Sequence, residues 1–287
     1  MPLTQTHRSQ GLALFSIFSA TASSVLLKTV DVTPISEAVA IRSVFGFIVL
    51  GFIILAWSTP NAAPIGRSAV FRAALDALAA LTLSFSIFLL PLSLLASIHA
   101  TLPILSIVLS AIMLSERMSI QSWVALILAL AGTLLILSPG IDYSIAGVLL
   151  AIISLFAYAF RDVVTRRMPQ DLDLRKVTLI SLAFVSLSSL AVSAQQPWVK
   201  PATPELLAIC LAGLTFLVAN FMIVAALHRC AVNRIAPLRY TAILWALIFD
   251  WAVWGYLPEP IAWVGIGLIM AAGLLLMLQP HPAEQVE

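Results

Sequence analysis

The feature that most constrains the fold is an apolar run without charge. No Asp, Glu, Lys or Arg occurs from Ala77 to Ser115. A helix that crosses the hydrocarbon of a bilayer needs about 20 apolar residues, so this run is long enough for two crossings. Pro91 is the natural place for the chain to turn, because proline ends or kinks helices. Across all 287 residues 61% are hydrophobic and 10% are charged, against about 25% charged in soluble domains, so we expect a membrane protein.

Ten apolar segments are predicted to cross the membrane, all as α-helices, since a spanning strand would need a closed barrel. They are Gly11–Val30, Pro34–Trp57, Ser68–Leu90, Leu92–Ser115, Ile120–Ser138, Ser144–Thr165, Val177–Ala194, Glu205–His228, Asn233–Gly255 and Ile261–Leu278. The first segment runs past the signal-peptide-like Ala20-Thr21-Ala22 to Lys28, so we expect it to stay uncleaved as a helix. The predicted fold class is therefore an all-α membrane protein.

The short loops exclude a soluble catalytic domain and a nucleic-acid partner. The chain contains no HExxH, Walker A or GxSxG motif and no paired cysteines of the metal-binding kind. We therefore expect neither an enzyme nor a bound metal or cofactor.

The cations predict the orientation. With the N-terminus in the cytoplasm, eleven Lys and Arg residues lie at inner helix ends and two, Lys28 and Lys200, at outer ends. The inner set is Arg8, Arg67, Arg72, Arg117, Arg161, Arg166, Arg167, Arg175, Lys176, Arg229 and Arg234. This asymmetry follows the positive-inside rule. It predicts a bacterial inner-membrane protein with both termini cytoplasmic.

The two halves of the chain share short sequence features. Ala80-Leu81-Thr82 with Phe88 is echoed by Gly213-Leu214-Thr215 with Phe221, and Trp123 with Leu134-Leu135 by Trp263 with Leu274-Leu275. Five helices per half is an odd number, so the second copy would be inverted in the membrane. Inverted repeats are a transporter architecture with the substrate site between the halves. The predicted repeats are residues 1–140 and 141–287, the second including a short cytoplasmic tail.

One stretch resembles a known family. It runs through Ala100-Thr101-Leu102-Pro103 and Leu114-Ser115-Glu116 to Gly132, and it is similar to the EamA-type branch of the drug/metabolite transporter superfamily. Tyr240 to Pro258 resembles the second copy, with Tyr256 where the family usually has Glu. The resemblance implies ten helices and transport, often export, of amino acids, nucleotide-like compounds, vitamins or metallophores. Pro34 to Arg42 also resembles a subgroup that includes riboflavin importers.

Polar groups inside spanning segments are costly in hydrocarbon, so they should face a cavity or a partner. His99, Pro103 and Ser106 share one face of the fourth segment, and Pro103 can leave a backbone carbonyl free. This face predicts a cavity wall, with close helix packing as the alternative. His99 is also a candidate proton carrier, because imidazole titrates near neutral pH.

The ninth segment carries Arg239, Ala246 and Asp250 on one face. Such a face would suit a zwitterion, because Arg239 could bind the carboxylate of the solute and Asp250 could bind its amine. The alternative is that Arg239 reaches the cytoplasm and Asp250 bonds to a neighbouring helix. In the sixth segment, Arg161 and Asp162 are expected to form a solvated inner rim.

Three further positions are candidate solute contacts: Tyr158, deep in the sixth segment, Asn220, near the middle of the eighth, and Arg42 in the second. For Asn220 and Arg42 a structural role is an equal alternative. Arg72 and Asp76, at i and i+4, are predicted to form a local ion pair.

Together these patterns predict a secondary transporter that works by alternating access, with a small-molecule solute and the lipid bilayer as partners. The preferred cargo is a polar amino-acid-like metabolite moving outward, such as an amino-acid-derived metallophore, with proton coupling as an option. Uptake of a vitamin such as riboflavin is the alternative, since Tyr158 and Trp245 could stack a flat ring. A membrane scaffold or an intramembrane enzyme is the minor alternative.

Overall fold

The computed structural model describes residues 3–56, 66–114, 120–136, 143–169, 172–229 and 235–277. In these ranges every regular element is helical. The α-helices are α1 Leu3–Lys28, α2 Ile35–Ala56, α3 Arg67–Leu89, α4 Leu92–His99, α5 Leu102–Leu114, α6 Ile120–Ile136, α7 Ile145–Arg166, α8 Leu174–Ser193, α9 Thr203–Arg229, α10 Thr241–Trp254 and α11 Pro260–Met277. A 3-10 turn, Ala236–Tyr240, precedes α10.

Each of the ten predicted segments contains one helix or a broken pair of helices. Some predicted positions lie outside the described residues: Trp57, Ser115, Glu116, Arg117, Ser138, Arg234, Asn233 and Leu278. By length and composition, seven described helices are able to cross a membrane, and Leu94–Met113 counts as one of them across α4 and α5. Trp123–Leu135 and Pro260–Leu275 are shorter apolar helices. The all-helical membrane class is thus confirmed.

Two of the predicted segments are interrupted. The fourth breaks at Ala100 and Thr101, between α4 and α5. Pro103 is the second residue of α5, where its missing N–H is tolerated because the first turn of a helix has unbonded donors. The ninth segment begins as the 3-10 turn, which carries Arg239, before α10 continues. Discontinuous helices place free backbone groups and short polar stretches beside a cavity.

Most of the main contacts between the described helices join a helix of the first half of the chain to one of the second half. The main pairs are α1 with α9, α3 with α7, α2 with α8 and with α9, α3 with α8, and α6 with α11. Two of these contacts depend on glycine. A Cβ on Gly213 of α9 would lie 2.6 Å from the carbonyl oxygen of Arg42 on α2, and one on Gly132 of α6 would lie 2.5 Å from that of Gly265 on α11. Small residues allow backbones in membranes to approach this closely.

Large apolar side chains cover the periphery, and polar groups lie inside. Leu55 is 80% exposed and Ile112 72%, whereas Ser154 and Asp162 are buried. This distribution is the reverse of that in a water-soluble protein, and it fits a chain whose solvent is hydrocarbon.

The helix ends lie on two opposite faces. On one face, Glu205 at the start of α9 accepts a hydrogen bond from the backbone N–H of Val32 (2.8 Å), and Glu37 at the start of α2 accepts one from Val199 N–H (2.9 Å). On the other face, His228 near the end of α9 bonds the carbonyl oxygen of Pro169 (3.0 Å), and Arg167 donates to the carbonyl oxygen of Met113. Loops that the sequence predicts on the same side of the membrane therefore lie on the same face.

Candidate substrate-binding site

A cavity of about 220 Å³ lies at the centre of the bundle. Its walls come from α1, α2, α3, α4, α5, α7, α9, the 3-10 turn and α10, so both predicted halves contribute. Most of the wall is apolar, from residues such as Ile17, Leu83 and Leu95. The polar and charged lining residues are Ser16, Thr21, Ser23, Ser24, Arg42, Ser84, His99, Tyr158, Arg161, Asn220 and Arg239.

Six of the nine predicted site residues line this cavity: Arg42, His99, Tyr158, Asn220, Arg239 and Ala246. The other three, Pro103, Ser106 and Asp250, are not among its lining residues. Ser106 and Asp250 are buried elsewhere in the bundle, and the Ser106 hydroxyl has no hydrogen-bond partner among the described residues. The structure thus brings six predicted residues from six different helical elements to one place.

An ion-pair network lies beside the cavity. Arg161 of α7 donates to Asp76 of α3 (Nη1–Oδ1, 2.7 Å) and to its own neighbour Asp162 (Nη2–Oδ1, 2.8 Å). Arg239 of the 3-10 turn binds the other Asp162 oxygen (Nη2–Oδ2, 2.7 Å). The predicted pair of Arg72 and Asp76 is present at 3.6 Å. We call these five residues the ionic network.

The ionic network corrects one prediction and modifies another. Arg161 and Asp162 do not form a solvated rim, because Asp162 is 0% exposed and Arg161 is buried as well. Both charges are stabilised by partners from other elements, which sequence spacing does not reveal. Arg239 does not extend freely from the helix end, because its guanidinium is paired with Asp162 of α7 and its side chain is only 11% exposed. Asp250, the residue predicted to bind the same solute, lies on α10 and is not among the residues that line the cavity.

Arg42 has a different environment. Its side chain is 2% exposed, and among the described residues no carboxylate lies within 4.0 Å of it. Nη2 donates to the Ser84 hydroxyl (2.8 Å), the guanidinium lies 4.4 Å from the Phe216 ring centroid, and Nε has no hydrogen-bond partner among those residues. A cation on an aromatic face is stabilised, but a buried cation without a counter-ion remains costly.

His99 closes one side of the cavity together with α7. Its Nε2 is 2.8 Å from the hydroxyl oxygen of Ser154, and its ring makes an edge contact with Tyr158 at 6.1 Å between centroids. Ser154 in turn donates to the Ala151 carbonyl oxygen (2.8 Å). The Ser154 hydroxyl proton is thus engaged, so in the neutral tautomer His99 donates from Nε2 to Ser154.

Sequence reasoning missed two cavity residues that contact Arg42: Ser84 and Phe216. A signal for Phe216 was present, because it stands four residues before Asn220 and so shares its helix face. Ser84 carries no such signal. Its neighbourhood on α3 contains several serines and threonines, and only the tertiary structure selects the one beside Arg42.

The family is decided by comparison with known proteins. The model of the EamA-like transporter family matches residues 9–138 and again residues 145–278. The chain belongs to the EamA-like transporter family. This EamA-like chain is accordingly a membrane transporter rather than an enzyme.

Several named proteins are similar to this EamA-like transporter. An uncharacterized transporter of Helicobacter pylori (strain J99) is 23% identical over 74% of this chain and 74% of that protein. An S-adenosylmethionine uptake transporter of Rickettsia bellii is 22% identical over 70% of this chain and 68% of that protein. A riboflavin transporter of Rhizobium johnstonii is 23% identical over 62% and 59%.

Similarity to a solved structure establishes the fold. That structure is titled only "Crystal structure of protein" and matches with a TM-score of 0.75 at 17% identity, over 95% of this EamA-like chain and 97% of that chain. At this identity the similarity establishes the helical architecture alone.

Proposed function

We propose that the chain is a secondary transporter that moves a small amino-acid-like metabolite bearing a carboxylate, and that export is its direction. The observation that carries this proposal is the central cavity, in which a buried arginine without a carboxylate partner faces an otherwise largely apolar space. A guanidinium in such a place suits the carboxylate of a solute, since charged hydrogen bonds are strong away from water.

Ten spanning helices in two inverted repeats would explain how this cavity alternates between the two sides. The family match occurs once in each half. If α1, α2, α3 and α6 correspond to α7, α8, α9 and α11, then the α1–α9 contact corresponds to α3–α7, and α2–α9 to α3–α8. The contacts α2–α8 and α6–α11 correspond to themselves. The packing therefore supports repeat boundaries near residue 140, and relative motion of the repeats around a fixed site follows from that architecture.

The cation count supports an inner-membrane location with cytoplasmic termini. Arg72 and Arg161 belong to the ionic network, so they are no longer counted as charges at inner helix ends. Nine cations then remain at the predicted inner ends, compared with two, Lys28 and Lys200, at the outer ends. The asymmetry persists after this correction. On this orientation the ionic network lies between the cavity and the cytoplasm.

Vitamin uptake is the second candidate, favoured by the aromatic side chains of Tyr158 and Phe216 at the cavity and by the relative named as a riboflavin transporter. Trp245, also predicted as a stacking residue, packs against Phe18 at 5.0 Å between centroids and is not among the lining residues. The aromatic surface available to a flat ring thus comes from α7 and α9.

Flux measurements in proteoliposomes separate the two candidates. Purified protein is tested with a panel of amino acids and their derivatives and with riboflavin, each loaded on either side of the membrane. Saturable flux of amino-acid derivatives supports the proposal, whereas saturable riboflavin flux with none for any amino-acid derivative would replace it by the second candidate. Vesicles without protein give the baseline.

A further inference from the structure

We infer that the carried solute is a net anion and that Arg42 binds its carboxylate. This inference rests on the proposed function, because it takes the central cavity as the transport site. It goes further by excluding a simple zwitterion and by assigning one side chain to one group of the solute.

The Arg42 guanidinium is buried and has few hydrogen-bond partners. Four observations describe it: the side chain is buried, no carboxylate of the described residues lies within 4.0 Å, Nη2 has one hydroxyl acceptor, and Nε has none. A guanidinium has five N–H donors in a planar fork that matches a carboxylate. Donors therefore remain for a solute on a residue that lines the cavity.

The side chains around the cavity carry a net positive charge. Four guanidinium groups, Arg42, Arg72, Arg161 and Arg239, lie at the cavity or in the ionic network. Two carboxylates, Asp76 and Asp162, compensate them, so 4 − 2 leaves two positive charges. No Asp or Glu of the described residues lines the cavity. An entering ammonium group would find cations and no counter-ion, whereas an anion would reduce the cost of the buried charges.

The rest of the cavity wall near Phe216 is apolar. Phe216 packs on the Arg42 guanidinium, and the neighbouring lining residues Leu83, Ile87 and Ala219 are apolar. A carboxylate held at Arg42 would therefore continue into an apolar body. The solute class is an amphipathic organic acid, such as an amino acid whose amine is acylated or an aryl carboxylate.

A charge series with one common body tests this assignment. The probes are N-acetyl-L-phenylalanine (an anion), N-acetyl-L-phenylalaninamide (neutral), L-phenylalanine (a zwitterion) and L-phenylalaninamide (a cation). Each is titrated against the purified full-length protein while the midpoint of thermal unfolding is recorded, because a ligand that binds only the folded state raises this midpoint. We expect a concentration-dependent rise with the anion and none with the other three probes.

Substitutions at Arg42 connect this preference to the residue. Arg42→Gln should weaken the apparent affinity for N-acetyl-L-phenylalanine at least about tenfold, the loss expected for a charged hydrogen bond. Arg42→Lys should keep the preference for the anion with reduced affinity, because it keeps the charge without the planar fork. The matched control is Arg166→Gln, an exposed arginine outside the cavity, which should bind the anion like wild type.

The outcomes are distinct. Equal stabilisation by the neutral amide, unchanged affinity in Arg42→Gln, or no stabilisation by the anion would each overturn the inference. If Arg42→Gln does not fold, the charge series on wild type and Arg42→Lys still decides. Flux of solutes regardless of charge in proteoliposomes would overturn the anion assignment and leave the proposed function standing. Arg42-dependent binding of the anion without flux of any solute would support the anion assignment and overturn the proposed transport function.

Discussion

Asp162 holds two arginines from different elements in place at the edge of the cavity. It forms ion pairs with its neighbour Arg161 and with Arg239 of the 3-10 turn, and it is fully buried. Removing one member of a buried ion pair leaves a charge without compensation, which costs far more than an exposed pair contributes.

Asp162→Asn should therefore lower the free energy of unfolding by about 3–5 kcal/mol, since it leaves Arg161 and Arg239 partly unpaired. Thermal unfolding of the purified variant measures the loss. Asp31→Asn is the matched control, because Asp31 is exposed in the loop between α1 and α2. Adding Arg239→Gln to Asp162→Asn should recover part of the stability, since the two residues interact directly. Equal unfolding midpoints for Asp162→Asn and Asp31→Asn would show that the ionic network contributes little.

For single residues, the sequence predicted which side chains line the cavity better than it predicted which side chains they contact. Burial cost selects Arg42, His99, Ser106, Tyr158, Asn220, Arg239 and Asp250, because few polar residues stand deep in apolar segments. Five of these seven line the cavity, and Ser106 and Asp250 do not. Helix-face reasoning then joined Arg239 to Asp250, eleven positions along the chain, or about 16 Å along a helix. The partner of Arg239 is Asp162 on α7. That pairing depends on how two helices cross, which the spacing within either helix does not contain.

Between helices, the position of Arg42 depends on how closely α2 and α9 approach. Gly213 of α9 faces the carbonyl oxygen of Arg42, and Gly46 of α2 faces the carbonyl oxygen of Gly213, 3.2 Å from the position of a Cβ. The two glycines thus let the backbones touch at the level of the cavity.

Gly213→Ala should destabilise the protein by about 1–3 kcal/mol, because the added methyl group meets backbone that cannot rotate away. It should also weaken solute binding, since α2 must shift and carry Arg42 with it. Gly51→Ala on α2 is the matched control. A Cβ there has nothing within 4 Å, and alanine is the better helix former by about 1 kcal/mol. Unfolding midpoints and binding titrations compare the two variants, and similar results would mean that the close contact is not needed.

The helices themselves were largely predictable, and their interruptions were not. Long apolar runs separated by Pro, Gly and charged residues locate α2, α3 and α7 to α9 within a few residues, whereas α1 begins at Leu3, eight residues before its predicted start at Gly11. The break at Ala100 and Thr101 lies inside an uncharged run, and the 3-10 turn ahead of α10 lies inside another predicted helix. Hydrophobicity does not show such breaks, because the sequence stays apolar through them. Pro103 and Pro237 stand beside the breaks, but proline is compatible with a kinked helix as well as with the start of a new one.

For the whole molecule, orientation in the membrane is the next testable property. Glu205 with Val32 and Glu37 with Val199 place two loops on one face, while His228 with Pro169 lies on the other. The cation count predicts that the first face lies outside.

Single cysteines introduced into a variant lacking Cys210 and Cys230 test this assignment. A cysteine at Gln196 should react with a membrane-impermeant maleimide in intact cells, and one at Arg166 should react only after the membrane is permeabilised. Both positions are exposed, so burial does not limit labelling at either. The reverse pattern would invert the topology, and labelling of both in intact cells would contradict a membrane crossing by α8, the helix between the two positions.

Energy coupling belongs to the whole molecule as well, because protonation and solute binding must be linked through the same conformational change. His99 lines the cavity, bonds to Ser154 of α7 and stands next to Tyr158. A proton taken up there would be felt by helices from both proposed repeats. Asp250, buried on α10, is the second candidate carrier.

The double substitution His99→Asn with Asp250→Asn should abolish the dependence of solute flux on an imposed pH gradient in proteoliposomes, while flux down the solute's own gradient should persist. Asparagine keeps a hydrogen-bonding side chain at each position but does not titrate. His228→Asn, at the end of α9 beside Pro169, is the control and should retain the gradient dependence of wild type. If the double variant responds to the pH gradient like wild type, neither residue carries the proton. If the double variant has lost the dependence, the single variants assign the coupling, because loss in His99→Asn alone places the proton at the cavity, and loss in Asp250→Asn alone places it outside the residues that line the cavity.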